Sequence, residues 1–284
     1  MKTYDIKTME DSVETVGNYQ PTAPSNSSLE PTHRVVLVGA SNLTRAVHII
    51  TKTAQDLWGD SGDFLIAMGH GRSYGQPSTV MVRRLPGILQ SGLWDALERR
   101  PELPTHALLT DIGNDILYEV PIEKIAGWVE TMLQRLEKHQ AQTVITLLPT
   151  ENVGRILPWQ YFVVRSFFFP GCRLPLKEVG DRAVVLNGRL RELAKKYNVK
   201  VIEQNPEWYG FDPIHLKTQL WAKVYQDVLS CYDEACDRDL SVGSFIRWLS
   251  LRTCFPERHW LCGIAGRGAQ PARITPEGSR FSFF

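Results

Sequence analysis

The chain has 284 residues, of which 43% are hydrophobic and 22% are charged. This is the composition of a folded globular protein and not of a disordered or collagenous chain. Its 32 Lys and Arg residues nearly balance its 31 Asp and Glu residues, for a formal net charge of +1, so the overall basic charge of a nucleic-acid-binding protein is missing. No apolar run approaches the roughly 20 residues that cross a bilayer.

The N-terminal segment is polar and contains several prolines. Residues 1–32 are therefore predicted to form a disordered arm, and because the arm has no apolar core of a secretory signal, the expected location is cytoplasmic. An odd number of cysteines favours reduced thiols in that compartment. Four of the five fall in the C-terminal part without the tight pairs of a structural zinc site, so no metal site is predicted. These four are Cys231, Cys236, Cys254 and Cys262.

Short runs of branched apolar residues predict five strands that are buried on both faces. They cover 34–39, 63–68, 106–111, 143–148 and 199–203. Helical periodicity separates them, over 43–58, 86–99, 121–136, 181–197 and 216–230. Strands that alternate with helices predict a doubly wound α/β domain over residues 33–230.

The C-terminal segment, residues 231–284, is predicted to be an extension of that domain. Its apolar stretch, Phe245–Leu251, must pack either on the domain or on a second subunit, and the second case would make a homo-oligomer through the extension. Residues 272–284 resemble a β-hairpin with its turn at 276–279.

Candidate functional residues follow the strands, where ligands bind in sheets of this kind. Ser41 comes just after the first strand, where the unpaired N–H groups of the next helix point toward whatever its hydroxyl attacks. Alternatively, Ser41 or Asn42 is only a helix N-cap. Asn114 follows the third strand, where its carboxamide would donate into the crevice or form an Asx turn.

Two further loops carry candidates. Gly69–Gly75 follows the second strand, and its glycines would let backbone N–H groups approach a ligand closely. Its spacing is loosely that of a dinucleotide-binding loop, but no clear helix start follows it. After the fifth strand, Asp212 and His215 lie three residues apart, so the carboxylate can orient the imidazole as a base. The alternative is an N-capping Asp beside an unrelated histidine.

In this chain order the four blocks resemble the SGNH hydrolases, also called the GDSL lipase/esterase family, over about residues 34–230. The matching blocks are Gly39-Ala40-Ser41, Gly71 or Gly75, Gly113-Asn114-Asp115 and Asp212-Pro213-Ile214-His215. One departure is Ala40, which stands where the family has Asp. The resemblance implies a three-layer α/β/α fold with a flavodoxin-like, parallel five-stranded sheet.

The resemblance also implies a serine hydrolase that acts on a small-molecule ester or acyl group without a metal or organic cofactor. Ser41 would attack, His215 would act as the base and Asp212 would orient it. The Ser41 N–H, the N–H of Gly71 or Gly75 and the Asn114 side chain would hold the oxyanion. A non-catalytic binding or scaffold protein on the same fold is the alternative, because of Ala40 and the unassigned extension.

An aromatic segment, Trp159–Pro170, follows the fourth strand and begins at the crevice. It is expected either to pack in the core or to wall a pocket over Ser41 that accepts an acyl chain. The expected pocket residues are Asn42, Tyr74 and Phe168.

Overall fold

The computed structural model describes residues 30–210, 214–232 and 243–284. Its strands are β1 (His33–Val38), β2 (Gly62–Ala67), β3 (Ser78–Val80), β4 (Arg83–Leu85), β5 (Thr105–Leu109), β6 (Gln142–Thr146), β7 (Lys200–Ile202), β8 (Arg258–Leu261), β9 (Ile264–Arg267), β10 (Arg273–Ile274) and β11 (Arg280–Phe283). Its helices are α1 (Ser41–Trp58), α2 (Leu93–Arg99), α3 (Asn114–Leu117), α4 (Ile122–Lys138), α5 (Thr150–Val153), α6 (Pro158–Phe168), α7 (Leu176–Lys196), α8 (Trp221–Leu229) and α9 (Phe245–Arg252).

The main sheet contains all five strands that the sequence predicts. They are parallel and run in the order β2-β1-β5-β6-β7. In the centre, Val36 of β1 lies between Leu65 of β2 and Ala107 of β5. The prediction of an α/β fold with a parallel central sheet is confirmed.

Two C-terminal strands extend this sheet beyond the five that were expected. The predicted hairpin forms between β10 and β11, and β11 then pairs in parallel with β2, where Phe281 lies opposite Phe64. The sheet therefore has seven strands, and the end of residues 231–284 is part of it. A local pattern identifies a hairpin, but it carries no information about which distant strand the hairpin will join.

Alternating side chains of the strands divide the core into two layers, because successive residues of a strand point to opposite faces. Val36, Leu65 and Ala107 pack on one face with residues of α2, α4 and α7. Val35 and Leu37 pack on the other face with residues of α1 and α8. Helices thus cover both faces, which gives the expected three layers.

The rest of the C-terminal segment also packs on the domain. β8 pairs with β4 in a small antiparallel sheet, β3-β4-β8-β9. Arg247 of α9 donates to Thr51 Oγ1 at 3.0 Å and to Gln55 Oε1 at 2.6 Å on α1. Leu251 enters the core, whereas Phe245 and Ile246 stay exposed. Part of the apolar stretch is therefore buried by the domain itself.

Most of the predicted N-terminal arm, residues 1–29, lies outside the described residues. In the ranges that are described, no helix is both long and apolar enough to cross a membrane.

Candidate active site

Ser41 is the first residue of α1, two residues after the Gly39 that ends the turn from β1. The backbone at Gly39 passes close to β5, since a Cβ there would lie 2.7 Å from Thr110 Cγ2. A larger residue would push the turn away from the sheet. The glycine therefore holds the half-buried Ser41 at the carboxyl edge of the central strands.

Ala40 occupies the N-cap of α1 and supplies no side-chain cap. Asp111, which follows β5 and is distant in sequence, caps the helix instead. Its Oδ2 accepts the backbone N–H groups of Ala40, Asn42 and Leu43 at 3.0, 2.9 and 3.1 Å. The N–H of Ser41 is not among these three. The sequence analysis did not predict this capping role for Asp111, because it depends on a contact between residues about 70 positions apart in the chain. The backbone of Asp111 also has a positive φ of 60°, which no local sequence pattern indicates.

Asn42 joins the serine turn to the histidine loop. Its Nδ2 donates to Asp111 Oδ1 at 2.8 Å and to the Ile214 carbonyl at 3.1 Å, and its Oδ1 accepts the Leu216 N–H at 3.0 Å. These bonds hold the residues on either side of His215. Asn42 lines a cavity and also positions the loop that carries the candidate base.

The two candidate glycines of the second block occupy different surroundings. Gly71 has a φ of 60° and lines the same cavity as Ser41, Asn114 and His215. A Cβ on Gly75, in contrast, would lie 2.0 Å from the Trp128 ring, and Gly75 does not line that cavity. The fold brings Gly71, and not Gly75, together with the serine.

Asn114 and Asp115 connect this glycine loop to the end of β5. Asn114 Nδ2 donates to the Arg72 carbonyl at 3.3 Å. The buried Asp115 carboxylate accepts the Ser73 hydroxyl and, at 2.8 Å, the Tyr74 N–H. Burial raises the pKa of Asp115 to about 6, against the lowering effect of these two hydrogen bonds.

Tyr74 is not a pocket residue. Its side chain is fully buried in the core, where the hydroxyl donates to the Thr110 carbonyl at 2.7 Å. The expectation that Tyr74 lines the pocket is wrong, because its ring packs in the core instead.

Two cavities meet at Ser41 and Asn114, which line both. The first, here called the apolar cavity, measures about 1040 Å³ including its mouth, and its wall is mainly aliphatic, with Ile116, Leu148 and Val179 among its residues. The second, here called the cationic cavity, measures about 930 Å³ including the open space at its mouth. His215 lines the cationic cavity and not the apolar one. Asp212 lies outside the described residues.

The aromatic segment divides between these surroundings. Phe168, at the end of α6, lines the cationic cavity, and the buried Phe169 lines both cavities. Trp159 and Phe162 are exposed. The segment is thus partly exposed and partly a cavity wall. Its last two phenylalanines, Phe168 and Phe169, line the cationic cavity together with Ser41.

No family model matches the chain, and no curated protein matches it. One solved structure aligns over 72% of this chain and 98% of its own, with 13% identity and a TM-score of 0.51. A GDSL-like lipase from Bacteroides thetaiotaomicron aligns over 72% and 88%, with 14% identity and a TM-score of 0.46. The psychrotrophic esterase EstA from Pseudoalteromonas sp. aligns over 77% and 99%, with 14% identity and a TM-score of 0.43. At such identities the likeness concerns the fold alone.

The chain has a three-layer α/β fold with a mostly parallel central sheet, which is the fold class that the sequence motifs predicted. The serine follows β1, the glycine follows β2, the asparagine follows β5 and the histidine follows β7, and all four strands are parallel members of one sheet.

Proposed function

We propose that the protein is a serine hydrolase that cleaves esters of small molecules at Ser41. The observation that carries the proposal is that Ser41, Gly71, Asn114 and His215 line one cavity at the carboxyl edge of the sheet. Four separate segments of the chain contribute one residue each. A nucleophile, a base and two candidate oxyanion donors are the set that acyl transfer requires.

In the proposed reaction Ser41 Oγ attacks the ester carbonyl carbon while His215 accepts its proton. The bond from that carbon to the alcohol oxygen then breaks, and His215 returns the proton to the departing alcohol. Water attacks the resulting acyl-serine ester in the same way, which releases the carboxylic acid and restores the Ser41 hydroxyl. Asp212, three residues before His215 in sequence, is proposed to orient the imidazole.

The oxyanion that forms in this reaction needs donors that are already in place. We assign them as the Ser41 N–H, the Gly71 N–H and Asn114 Nδ2. The Ser41 N–H is left out of the cap that Asp111 forms. The Asn114 bond to the Arg72 carbonyl is long, at 3.3 Å, and occupies one of the two amide hydrogens, so the other is available to the substrate. The proposed chemistry uses no metal or organic cofactor.

A fluorophosphonate probe tests the proposal, because it bonds covalently to activated serines. The wild type should be labelled at Ser41 and should hydrolyse p-nitrophenyl acetate, whereas Ser41→Ala should do neither and keep its melting temperature. Ser166→Ala, at an exposed position on α6, is the matched control and should behave like the wild type. A folded wild type that neither labels nor hydrolyses would instead identify a non-catalytic binding protein.

A further inference from the structure

The cationic cavity has two arginines in its wall. Arg45 and Arg252 line it together with His70 and His215, and none of its described lining residues is Asp or Glu. Aromatic rings complete the wall, among them those of Phe168, Trp221 and Trp248. A binding site of this composition favours an anion.

Arg252 is the better placed of the two arginines to meet a ligand, because it is the more exposed one. It is exposed at the end of α9, its guanidinium lies 5.7 Å from the centre of the Trp248 ring, and Nη1 lies 3.5 Å from His70 Nε2. Within the described residues it makes no salt bridge with a carboxylate, unlike Arg189 and Arg191, which are bound by glutamates. Its N–H donors other than the one directed to His70 are therefore available for a planar or tetrahedral anion.

The titration of neighbouring groups agrees with this charge. Burial, followed by the charges of Arg252, His215, Arg45 and Arg83, lowers the pKa of His70 to about 4. Burial and the Arg252 charge also lower the pKa of Arg83. Arg252 is the charge that acts on both groups, and an anion beside it would be stabilised.

The position of His215 decides which part of an ester would enter each cavity. A general acid must reach the leaving oxygen, so the alcohol part lies on the histidine side. His215 lines the cationic cavity and not the apolar one. The acyl part is then left with the apolar cavity, whose aliphatic wall suits a hydrocarbon chain.

We propose, on the basis of the function proposed above, that the substrate is an ester of an apolar acyl chain with an alcohol that bears a phosphate or carboxylate group, and that Arg252 binds this group. Arg252 is a specificity-determining residue in this proposal. It stabilises the anionic alcohol before and during attack, whereas the bond-breaking steps belong to Ser41 and His215.

The test compares three octanoyl esters: those of glycerol, glycerol 3-phosphate and glycerate. The wild type should favour one of the two anionic esters over the glycerol ester in kcat/KM, and the preferred one identifies the anion as phosphate or carboxylate. Arg252→Gln should lower kcat/KM for that ester about 10- to 100-fold, which is the effect of losing a hydrogen bond to a charged group. It should change kcat/KM for the neutral ester less than twofold. Arg252→Lys should restore part of the loss, because it keeps the charge but not the fork.

Arg99→Gln is the matched control, since Arg99 is exposed at the end of α2, lines neither cavity and carries the same charge. It should leave all three rates unchanged. Equal hydrolysis of the three esters, or an equal loss on all of them in Arg252→Gln, would overturn this inference and leave the proposed function standing. A protein that hydrolyses none of them and is not labelled at Ser41 would overturn both.

Discussion

Asp111, beyond the end of β5, holds Asn42 at the start of α1 by two hydrogen bonds, one to its backbone N–H at 2.9 Å and one to its side-chain amide at 2.8 Å. This pair links the turn that carries Ser41 to the loop that carries His215, because Asn42 also bonds the residues on both sides of the histidine. The geometry of the candidate site therefore depends on a carboxylate that takes no part in the proposed chemistry.

We expect Asp111→Ala to lower the free energy of unfolding by about 1–3 kcal/mol, since it leaves three helix N–H groups and the Asn42 amide without this partner. Hydrolysis per folded molecule should also fall, because the serine turn is no longer fixed. Urea unfolding and ester hydrolysis on one preparation measure both quantities. Asp181→Ala, at an exposed position on α7, is the control. Equal behaviour of the two variants would show that Asp111 does not anchor the site.

Asn114→Ala should reduce kcat by about two to three orders of magnitude with a much smaller change in KM, because an oxyanion donor acts mainly in the transition state. Steady-state kinetics with p-nitrophenyl esters, beside a melting curve, measure the effect. A lower melting temperature with normal turnover per folded molecule would instead assign Asn114 a structural role through its bond to the Arg72 carbonyl.

Asp115 should make the stability of the folded protein depend on pH. Burial raises its pKa from 3.8 to about 6, so the folded protein binds this proton more tightly than the unfolded chain. The stabilisation from Asp115 is therefore complete below about pH 4 and is lost as the pH rises to about 6. Relative to that of Asp115→Asn, the free energy of unfolding of the wild type should fall by about 1 kcal/mol per pH unit between pH 4 and pH 6. Urea unfolding at pH 4, 5 and 6 measures the difference, and a constant difference would contradict the expectation.

Ile156→Trp should narrow the apolar cavity, which Ile156 lines. If that cavity receives the acyl chain, the ratio of kcat/KM for p-nitrophenyl octanoate to that for the acetate should fall about tenfold or more. Leu157→Trp introduces the same ring at the next residue, which is exposed and does not line the cavity, and it should keep the wild-type ratio. An unchanged ratio in both variants would place the chain elsewhere.

Phe281→Ala should lower the free energy of unfolding by about 3–5 kcal/mol, the usual cost of removing a buried aromatic ring. Phe281 is 1% exposed in β11, and its ring stacks on that of Phe64 at 4.7 Å. Phe245→Ala removes a ring that is 72% exposed and should cost less than about 0.5 kcal/mol. Denaturant unfolding of both variants makes the comparison. Similar losses would mean that β11 is not part of the stable sheet.

Local patterns in the sequence were sufficient to predict the five parallel strands, the helices α1, α4, α7 and α8 and the hairpin at residues 272–284, whereas the helix predicted over 86–99 is an α-helix only over Leu93–Arg99. Each of these follows from periodicity within a few residues. The pairing of β11 with β2 could not be predicted in this way, because Phe281 and Phe64 meet only after the intervening chain has folded.

The candidate site shows the same distinction. Ser41, Asn114 and His215 stand out because each follows a predicted strand, and the fold places all three on one cavity. The choice between Gly71 and Gly75 required the position of the Trp128 ring, and the role of Asp111 required its contact with α1. The roles of Ser41, Asp212 and His215 in catalysis stay predictions.

The pairing of β11 with β2 affects the order in which the protein can fold during synthesis. Gly62 at the start of β2 bonds Ser279 across 217 residues of chain. A ribosome adds about 5–20 residues per second, so β2 waits roughly 10–40 s for its outer neighbour. An edge strand without a neighbour is a template for pairing with other chains. Slower translation therefore lengthens the interval in which nascent copies can aggregate, and a chaperone that covers the β2 edge would act before β11 is made.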